Sequence, residues 1–427
     1  MKRLLTRSAL LGLGAVTFSA TYCAVYDDTL LLPSPDASGG ATGGRGGSTG
    51  GGGSSGKTEG GGAGGAPICE HATFPGPPTE TDAGGEESFV VAMSEIDFGE
   101  TYDPDSGTAV PERNIGYDLD NKCSGRQGEG ESCAKPPWAN GNSEDYPAGR
   151  DNALGRLITE ISSRFVSTFG SAAYTQQINE GKVSILYKVD NWNGQPNDDQ
   201  VTTALMMPAP LNALGGRDVP LWDGTDTWPV ASDSVNGTPL NPKFADDTAY
   251  VRDGTLVAKL TTAQFRISVG LAATVVVELN IRFSGAFLTA KLVKGPHGWE
   301  MHEGQIAARW PVQELLAQLS QFPDVNDASL KTPLCINNSS YPNFKNAICK
   351  FVDISFLNSP ECDALSVGIG FTALPAKLGN VWELRELKSR CTNPTTDPAN
   401  DACGRAIPFP DSGSGGAGGS ATDASSD

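Results

Sequence analysis

The residues with the clearest potential for chemistry form an acidic segment in the first half of the chain. Asp118 and Asp120 occupy alternate positions, and Asn121 follows them directly. Alternating carboxylates in a turn are hard oxygen ligands of the kind that Ca²⁺ prefers. The segment lacks the regular glycine and the terminal glutamate of an EF-hand loop. It therefore predicts either a Ca²⁺ site, with Asp145 and Asp151 as more distant ligands, or a solvated acidic turn.

Two polar loops contain tryptophans. The six residues concerned are Trp192, Asn193, Asp198 and Asp199 in NWNGQPNDD, and Trp222 and Trp228 in PLWDGTDTWP. A tryptophan can stack on a sugar ring, while amide and carboxyl groups hydrogen-bond the sugar hydroxyls. These residues are predicted to bind a ligand such as a glycan. The alternative is that the tryptophans pack as lids on a hydrophobic core.

Other motifs for catalysis or metal binding are weak. The segment HGWEMH contains two histidines and a carboxylate, but strand alternation would place His297 on the face opposite to Glu300 and His302. We therefore predict no Zn²⁺ site there. Between residues 67 and 410 there is no GxSxG nucleophile elbow and no Walker loop, which disfavours nucleophilic hydrolysis and nucleotide binding. A glycosidase, by contrast, needs only two suitably spaced carboxylates, which 50 acidic residues can supply.

The elements that must position these groups are mainly β-strands. Strand-like segments cover residues 183–189, 201–207, 250–252, 255–260, 265–269, 273–283, 286–293, 306–310 and 365–374. Asp253-Gly254 is a two-residue hairpin signature, and alternating apolar residues up to Phe283 predict a strand with one buried face. Alternate glycines in LSVGIGFTAL predict the close approach of another backbone or of a bound group.

Three helices are predicted between the strands. Apolar residues from Leu154 to Phe169 recur at helical spacing, which predicts an amphipathic helix of about 18 residues capped by Asp151-Asn152. Pro311 can begin a second helix, and residues 343–351 form a weaker third. Many short strands with Asp-Gly and Asn-Gly turns predict a mainly β fold. We expect an antiparallel β-sandwich, jelly-roll or lectin-like, with two or three packed helices.

The N-terminus predicts export. Residues 1–22 combine a positively charged start with an apolar run from Ala9 to Ala20, which is typical of a secretory signal peptide. Cys23 follows and is the predicted site of lipid attachment. Because Tyr22 is larger than the residue that usually precedes a lipid-modified cysteine, ordinary cleavage by signal peptidase is the alternative.

The domain boundaries follow from composition. Residues 23–66 carry the lipid anchor and a Gly/Ser-rich linker that is expected to be disordered, and residues 411–427 form a similar tail. Residues 67–410 form the predicted β-rich extracellular domain. Apart from Cys23 the chain has eight cysteines, which can form four disulfides in an oxidising compartment. We predict a local bridge between Cys123 and Cys133, and the other pairings stay open.

The chain resembles uncharacterised secreted lipoproteins of the kind abundant in myxobacteria over most of its predicted ordered part. The matching segments are CAVYDDTLL, GYDLDNKC, GRDNAL, DNWNGQPNDDQV, AYVRDGTLVAKL, GQIAARW and CDALSVGIGFTALPA. The resemblance implies a β-rich domain beyond the inner membrane, at the outer membrane or cell surface. It implies no particular activity.

These observations predict a function class. A formal net charge of −19 disfavours nucleic acid and anionic membranes as partners, so membrane contact is expected only through the lipid anchor. The chain is predicted to be a surface-tethered, non-enzymatic binding or structural protein. Its expected partner is a glycan or an envelope component. The sequence establishes no cofactor, and Ca²⁺ is the one candidate. The alternative is a secreted polysaccharide-acting hydrolase that uses paired carboxylates.

Overall fold

The computed structural model describes most of the predicted extracellular domain. It covers residues 69–79, 84–100, 102–103, 108–109, 114–125, 129–136, 138–140, 144–164, 169–272, 275–327, 329–356 and 359–404. The predicted signal peptide, Cys23, the linker and the C-terminal tail lie outside these residues.

Twelve strands and four α-helices make up the described part of the chain. The strands are β1 Glu87–Asp97, β2 Tyr102–Asp103, β3 Thr108–Ala109, β4 Leu186–Trp192, β5 Asp198–Met206, β6 Thr227–Ala231, β7 Phe244–Arg252, β8 Thr255–Ala272, β9 Val275–Gly295, β10 Gly298–Pro311, β11 Ala364–Pro375 and β12 Lys377–Trp382. The helices are α1 Ala153–Arg164, α2 Ser171–Asn179, α3 Val312–Gln318 and α4 Tyr341–Cys349. Within this part of the chain, no helix combines the length and the apolarity that are needed to cross a membrane.

Eight antiparallel strands are hydrogen-bonded in a closed ring, in the order β1-β11-β10-β9-β8-β7-β5-β4. The seven strands other than β1 follow one another around the ring in the order in which they occur in the chain. The first strand, β1, lies between β11 and β4 and closes the ring. Two small sheets accompany the ring, a parallel pair of β6 and β12 and an antiparallel pair of β2 and β3. The predicted mainly β, antiparallel class with packed helices is confirmed. The core lies inside one sheet that closes on itself, so opposite walls of the same sheet face each other across it.

The local strand signals correspond closely to the structure. Asp253 and Gly254 have φ values of 49° and 76° and join β7 to β8, as a two-residue hairpin requires. The predicted inward residues Val277, Leu279 and Ile281 of β9 are buried. The strand continues to Gly295 because a bulge against β10 accommodates the break after Phe283.

The start of the first predicted helix is confirmed, since Asn152 Oδ1 accepts the Gly155 N–H at 3.3 Å as an N-cap. The helix is described as far as Arg164. The rest of the predicted helix, up to residue 168, lies outside the described residues.

The prediction of four disulfides among the eight cysteines is confirmed. The pairs are Cys69–Cys123, Cys133–Cys362, Cys335–Cys391 and Cys349–Cys403. The predicted local bridge Cys123–Cys133 is therefore wrong. Long-range backbone pairing decides the partners instead, because Ala134 exchanges hydrogen bonds with residues 360 and 362 and so places Cys133 beside Cys362.

The interior of the closed sheet is filled by side chains. Phe265 and Phe283 lie with ring centroids 4.9 Å apart, and Phe283 meets Trp310 at 5.7 Å. A cavity of about 20 Å³ remains among these rings, enough for about one water molecule. Eight strands give an interior just wide enough for side chains. The larger cavities described below lie elsewhere on the sheet.

Candidate metal centre and polar groove

Three carboxylates converge near the start of α1. Asp118, Asp120 and Asp151 each offer an oxygen, and these oxygens lie within 4.8 Å of one another. The Leu119 N–H donates to Asp151 Oδ2 at 2.6 Å and so ties the acidic turn to the residue before the helix cap. Asp151, expected as a more distant ligand, is therefore part of the central group. It is 3% exposed, so the group is not a fully solvated turn.

The acidic turn is held by the segment that precedes β1. The disulfide Cys69–Cys123 joins the two, and the Asp118 N–H donates to Ala72 O at 2.9 Å. His71 Nδ1 contacts Asp118 Oδ2, and this contact raises the pKa of His71. Asn121 shapes the turn, since its φ is 59° and its N–H donates to Asp118 Oδ1. Sequence reasoning did not find His71, whose proximity depends on the long-range disulfide.

Burial and mutual repulsion raise the pKa values of several carboxylates in and beside this cluster. Burial raises the pKa of Asp145 to about 8, and repulsion from Asp120 and Asp353 adds to the effect. Burial also raises the pKa of Asp120, and that of Asp151 rises well above its usual value. Carboxylates that are buried and crowded in this way resist ionisation. A divalent cation would lower these pKa values because it stabilises the charged forms.

Two of the predicted sugar-stacking tryptophans belong to the core. Trp192 is 2% exposed, and its indole N–H donates to Gln195 O at 2.9 Å. Asn191 has a φ of 61° at a bulge against β1, which turns the following side chain inward. Trp228 is fully buried, and Trp222 is half-buried beside it at 6.3 Å. The prediction of surface stacking is wrong for Trp192 and Trp228, which pack into the core.

Two further predicted ligand residues organise their own loop. Asp198 is fully buried and accepts the N–H groups of Asn193 at 2.7 Å and Gln200 at 2.9 Å. The Asn193 side chain accepts the Gln195 N–H and donates to Asn197 O. The predicted ligand contact of Asp198 is therefore wrong, because the fold buries its carboxylate and uses it to close the loop.

Asp199 lies instead in a polar groove beside this loop. The groove has a volume of about 680 Å³ and is lined by Gly84, Gly85, Glu86, Asn191, Asp199, Gln200, Thr202, Asp247 and Thr248. Asp199 Oδ1 is itself buried and accepts no hydrogen bond from the described residues. The side chains of the lining are amides, hydroxyls and carboxylates, which complement a polyhydroxylated ligand. The sequence did not indicate Glu86 or Asp247 as part of this groove. Asp247 reaches the groove because β7 pairs with β5.

The histidine-containing segment forms a hairpin. Gly298 at the start of β10 pairs with Gly295 at the end of β9. His302 Nε2 lies 2.7 Å from Glu300 Oε2, as expected for residues that share a strand face. His297 lies at the turn and is exposed.

Comparison with protein-family models, curated proteins and solved structures finds no match. What the cluster and the groove can bind is therefore inferred from their own geometry and chemistry.

Proposed function

We propose that the chain is a secreted, surface-tethered binding protein that holds a glycan in the polar groove. Multiple disulfides are compatible with an extracytoplasmic protein. The signal peptide, lipid attachment at Cys23 and a position at the outer membrane or cell surface belong to this proposal, as does the resemblance to secreted lipoproteins.

The observation that carries the proposal is the hydrogen-bonding character of the groove. Asn191, Gln200, Thr202 and Thr248 offer amide and hydroxyl groups that can both donate and accept, as sugar hydroxyls do. Asp199 adds a carboxylate to the groove lining. A volume of about 680 Å³ is in the usual range of ligand sites, so that a short oligosaccharide can be accommodated.

Replacing Asp199 with asparagine is expected to weaken glycan binding by about tenfold or more, because hydrogen bonds to a charged acceptor contribute about 1.5–3 kcal/mol. A glycan array would first identify a bound oligosaccharide, and calorimetry would then compare the variants. Asp223→Asn removes a half-buried carboxylate outside the groove and should bind like the wild type. Failure of every glycan to bind, or equal affinity for both variants, would contradict the proposal.

The carboxylates of the same groove also allow a test of the alternative function, a polysaccharide-acting hydrolase. Glu86, Asp199 and Asp247 bring three carboxylates to one cavity, and a glycosidase requires a pair. Release of reducing ends from the bound oligosaccharide by the wild type, lost in Asp247→Asn, would identify an enzyme. Binding without release supports the non-enzymatic function that we propose.

A second proposal is that Asp118, Asp120 and Asp151 bind Ca²⁺. Their oxygens lie within 4.8 Å of one another although they come from two separate parts of the chain. Oxygen ligands from flexible turns suit Ca²⁺, which accepts six to eight of them at irregular angles. Extracellular Ca²⁺ sites bind with Kd values of about 10⁻⁴–10⁻³ M, so a site with three carboxylates is useful outside the cell.

Ca²⁺ at ten times its Kd is expected to raise the melting temperature by about 2–4 °C, which corresponds to about 1.4 kcal/mol. Thermal unfolding would be followed in Ca²⁺, in Mg²⁺ at equal ionic strength, and in chelator. Asp120→Asn should abolish the increase. Asp253→Asn removes a distant charge from a turn that tolerates asparagine and should preserve it. Equal melting temperatures in all three buffers would exclude the site.

A further inference from the structure

A second cavity lies where β11 leaves the wall of the closed sheet. The pairing of β11 with β10 ends at Met301, and after Pro375 the chain continues as β12, which pairs with β6. The first residues of β1 and of β10 therefore have no residues of β11 paired between them. A cavity of about 400 Å³ occupies this position, and it is lined in part by Phe89, His297, Trp299 and Lys377.

One side of the cavity is an aromatic platform. The rings of Phe89 and Trp299 lie 6.3 Å apart, and both line the cavity. Trp192 packs behind Trp299 at 4.5 Å with its ring at 66°, so the platform is an extension of the core. The Trp299 indole N–H also donates to Glu87 Oε2 at 3.4 Å. The orientation of Trp299 is thus fixed by packing and by a hydrogen bond, which favours binding of a flat ring.

The other side of the cavity is lined by a basic side chain, although the protein as a whole has a net negative charge. The protein has 50 acidic and 31 basic residues, yet the residues that line this cavity include a lysine and a histidine and no carboxylate. Lys377 and His297 are exposed, and no ion pair involves either among the described residues. Lys294 adds a second ammonium group nearby, since its Nζ lies 4.6 Å from the centroid of Trp299.

We propose that this cavity binds a ligand that combines a six-membered ring with a carboxylate. The ring contacts Phe89 and Trp299, and the carboxylate pairs with Lys377 beside His297. Lys294 strengthens the local positive potential. A volume of about 400 Å³ accommodates a sugar acid or an aromatic acid, which share this chemistry. The site is separate from the polar groove, and the inference does not depend on glycan binding there.

The test uses three probes with the disulfide-bonded protein. Glucuronate carries the ring and the charge, glucose is its neutral counterpart, and benzoate is an aromatic acid. Binding would be measured by calorimetry or by ligand-observed NMR at low salt. At least one of the two acids is expected to bind about tenfold tighter than glucose. Tighter binding of glucuronate identifies a sugar acid as the ligand class, whereas tighter binding of benzoate identifies an aromatic acid.

Two lysine variants show whether the binding takes place in this cavity. Lys377→Gln is expected to reduce the affinity for the preferred acid by about tenfold, because it removes the pairing charge. Lys291→Gln is a matched control, since Lys291 is an exposed lysine of β9 that pairs with Glu303 outside the cavity. The proposal is overturned if neither acid binds more tightly than glucose, or if the two variants bind the acid equally well.

Discussion

Acidifying the cation-free protein from pH 8 to pH 5 is expected to raise its melting temperature. The pKa of Asp145 is about 8 in the folded protein, and that of Asp151 is also raised. An unfolded aspartate has a pKa of about 3.9. Between these values the folded state binds more protons than the unfolded state, so stability falls as the pH rises. A saturated Ca²⁺ site should remove this dependence.

Asp145→Asn tests the origin of the effect. In chelator at pH 8 the neutral amide is expected to stabilise the fold by about 1–3 kcal/mol, a value discounted because the carboxylate is partly exposed. That corresponds to several degrees in melting temperature, and the gain should shrink at pH 5. Asp253→Asn serves again as the distant control. A wild-type melting temperature that increases steadily from pH 5 to pH 8 in chelator would refute this account.

Lys345→Met is expected to destabilise the protein by about 3–5 kcal/mol. Lys345 and Asp401 are both buried, and the Lys345 Nζ lies 2.9 and 2.8 Å from the two carboxylate oxygens. The Tyr341 hydroxyl donates to the same carboxylate at 2.9 Å. Removing the ammonium group leaves a buried negative charge without its counter-ion. Urea unfolding of the disulfide-bonded protein would measure the change.

Two companion variants separate the buried charge from other effects. Adding Asp401→Asn to Lys345→Met removes the orphaned charge and should restore part of the lost stability. Lys388→Met removes an exposed lysine that pairs with Glu386 at the surface and should change stability by less than about 0.5 kcal/mol. A loss below about 1 kcal/mol for Lys345→Met would show that the pair contributes little.

The sequence predicted those features that depend on neighbouring residues. Asp253-Gly254 forms the expected turn because the φ values that such a hairpin needs are local properties. The alternation in β9 identified its buried face for a similar reason. The glycines of β11 do mark a close approach. The Gly368 N–H donates to Asn152 Oδ1 at 2.9 Å, so a cap residue of α1 occupies the space that a side chain would fill.

Features that depend on distant pairing were not predictable. The disulfide partners of Cys123 and Cys133 depend on which segments lie side by side in the fold. Trp192 stands among polar residues in the sequence, yet a single bulge turns it into the core. The acidic cluster is an intermediate case. Asp118 and Asp120 are local and were predicted as ligands, whereas the close approach of Asp151 depends on its hydrogen bonds with Tyr117 and Leu119.

The disulfide between Cys69 and Cys123 has a mechanical consequence under the proposed tethering at the N-terminus. The bond closes a loop that contains β1, the strand that completes the ring. A pulling force that arrives at Cys69 passes through the sulfur atoms to Cys123, so neither β1 nor its hydrogen bonds lie in the path of the load. A force applied through the proposed tether would therefore act on a covalent link, while the strand that closes the sheet remains unloaded.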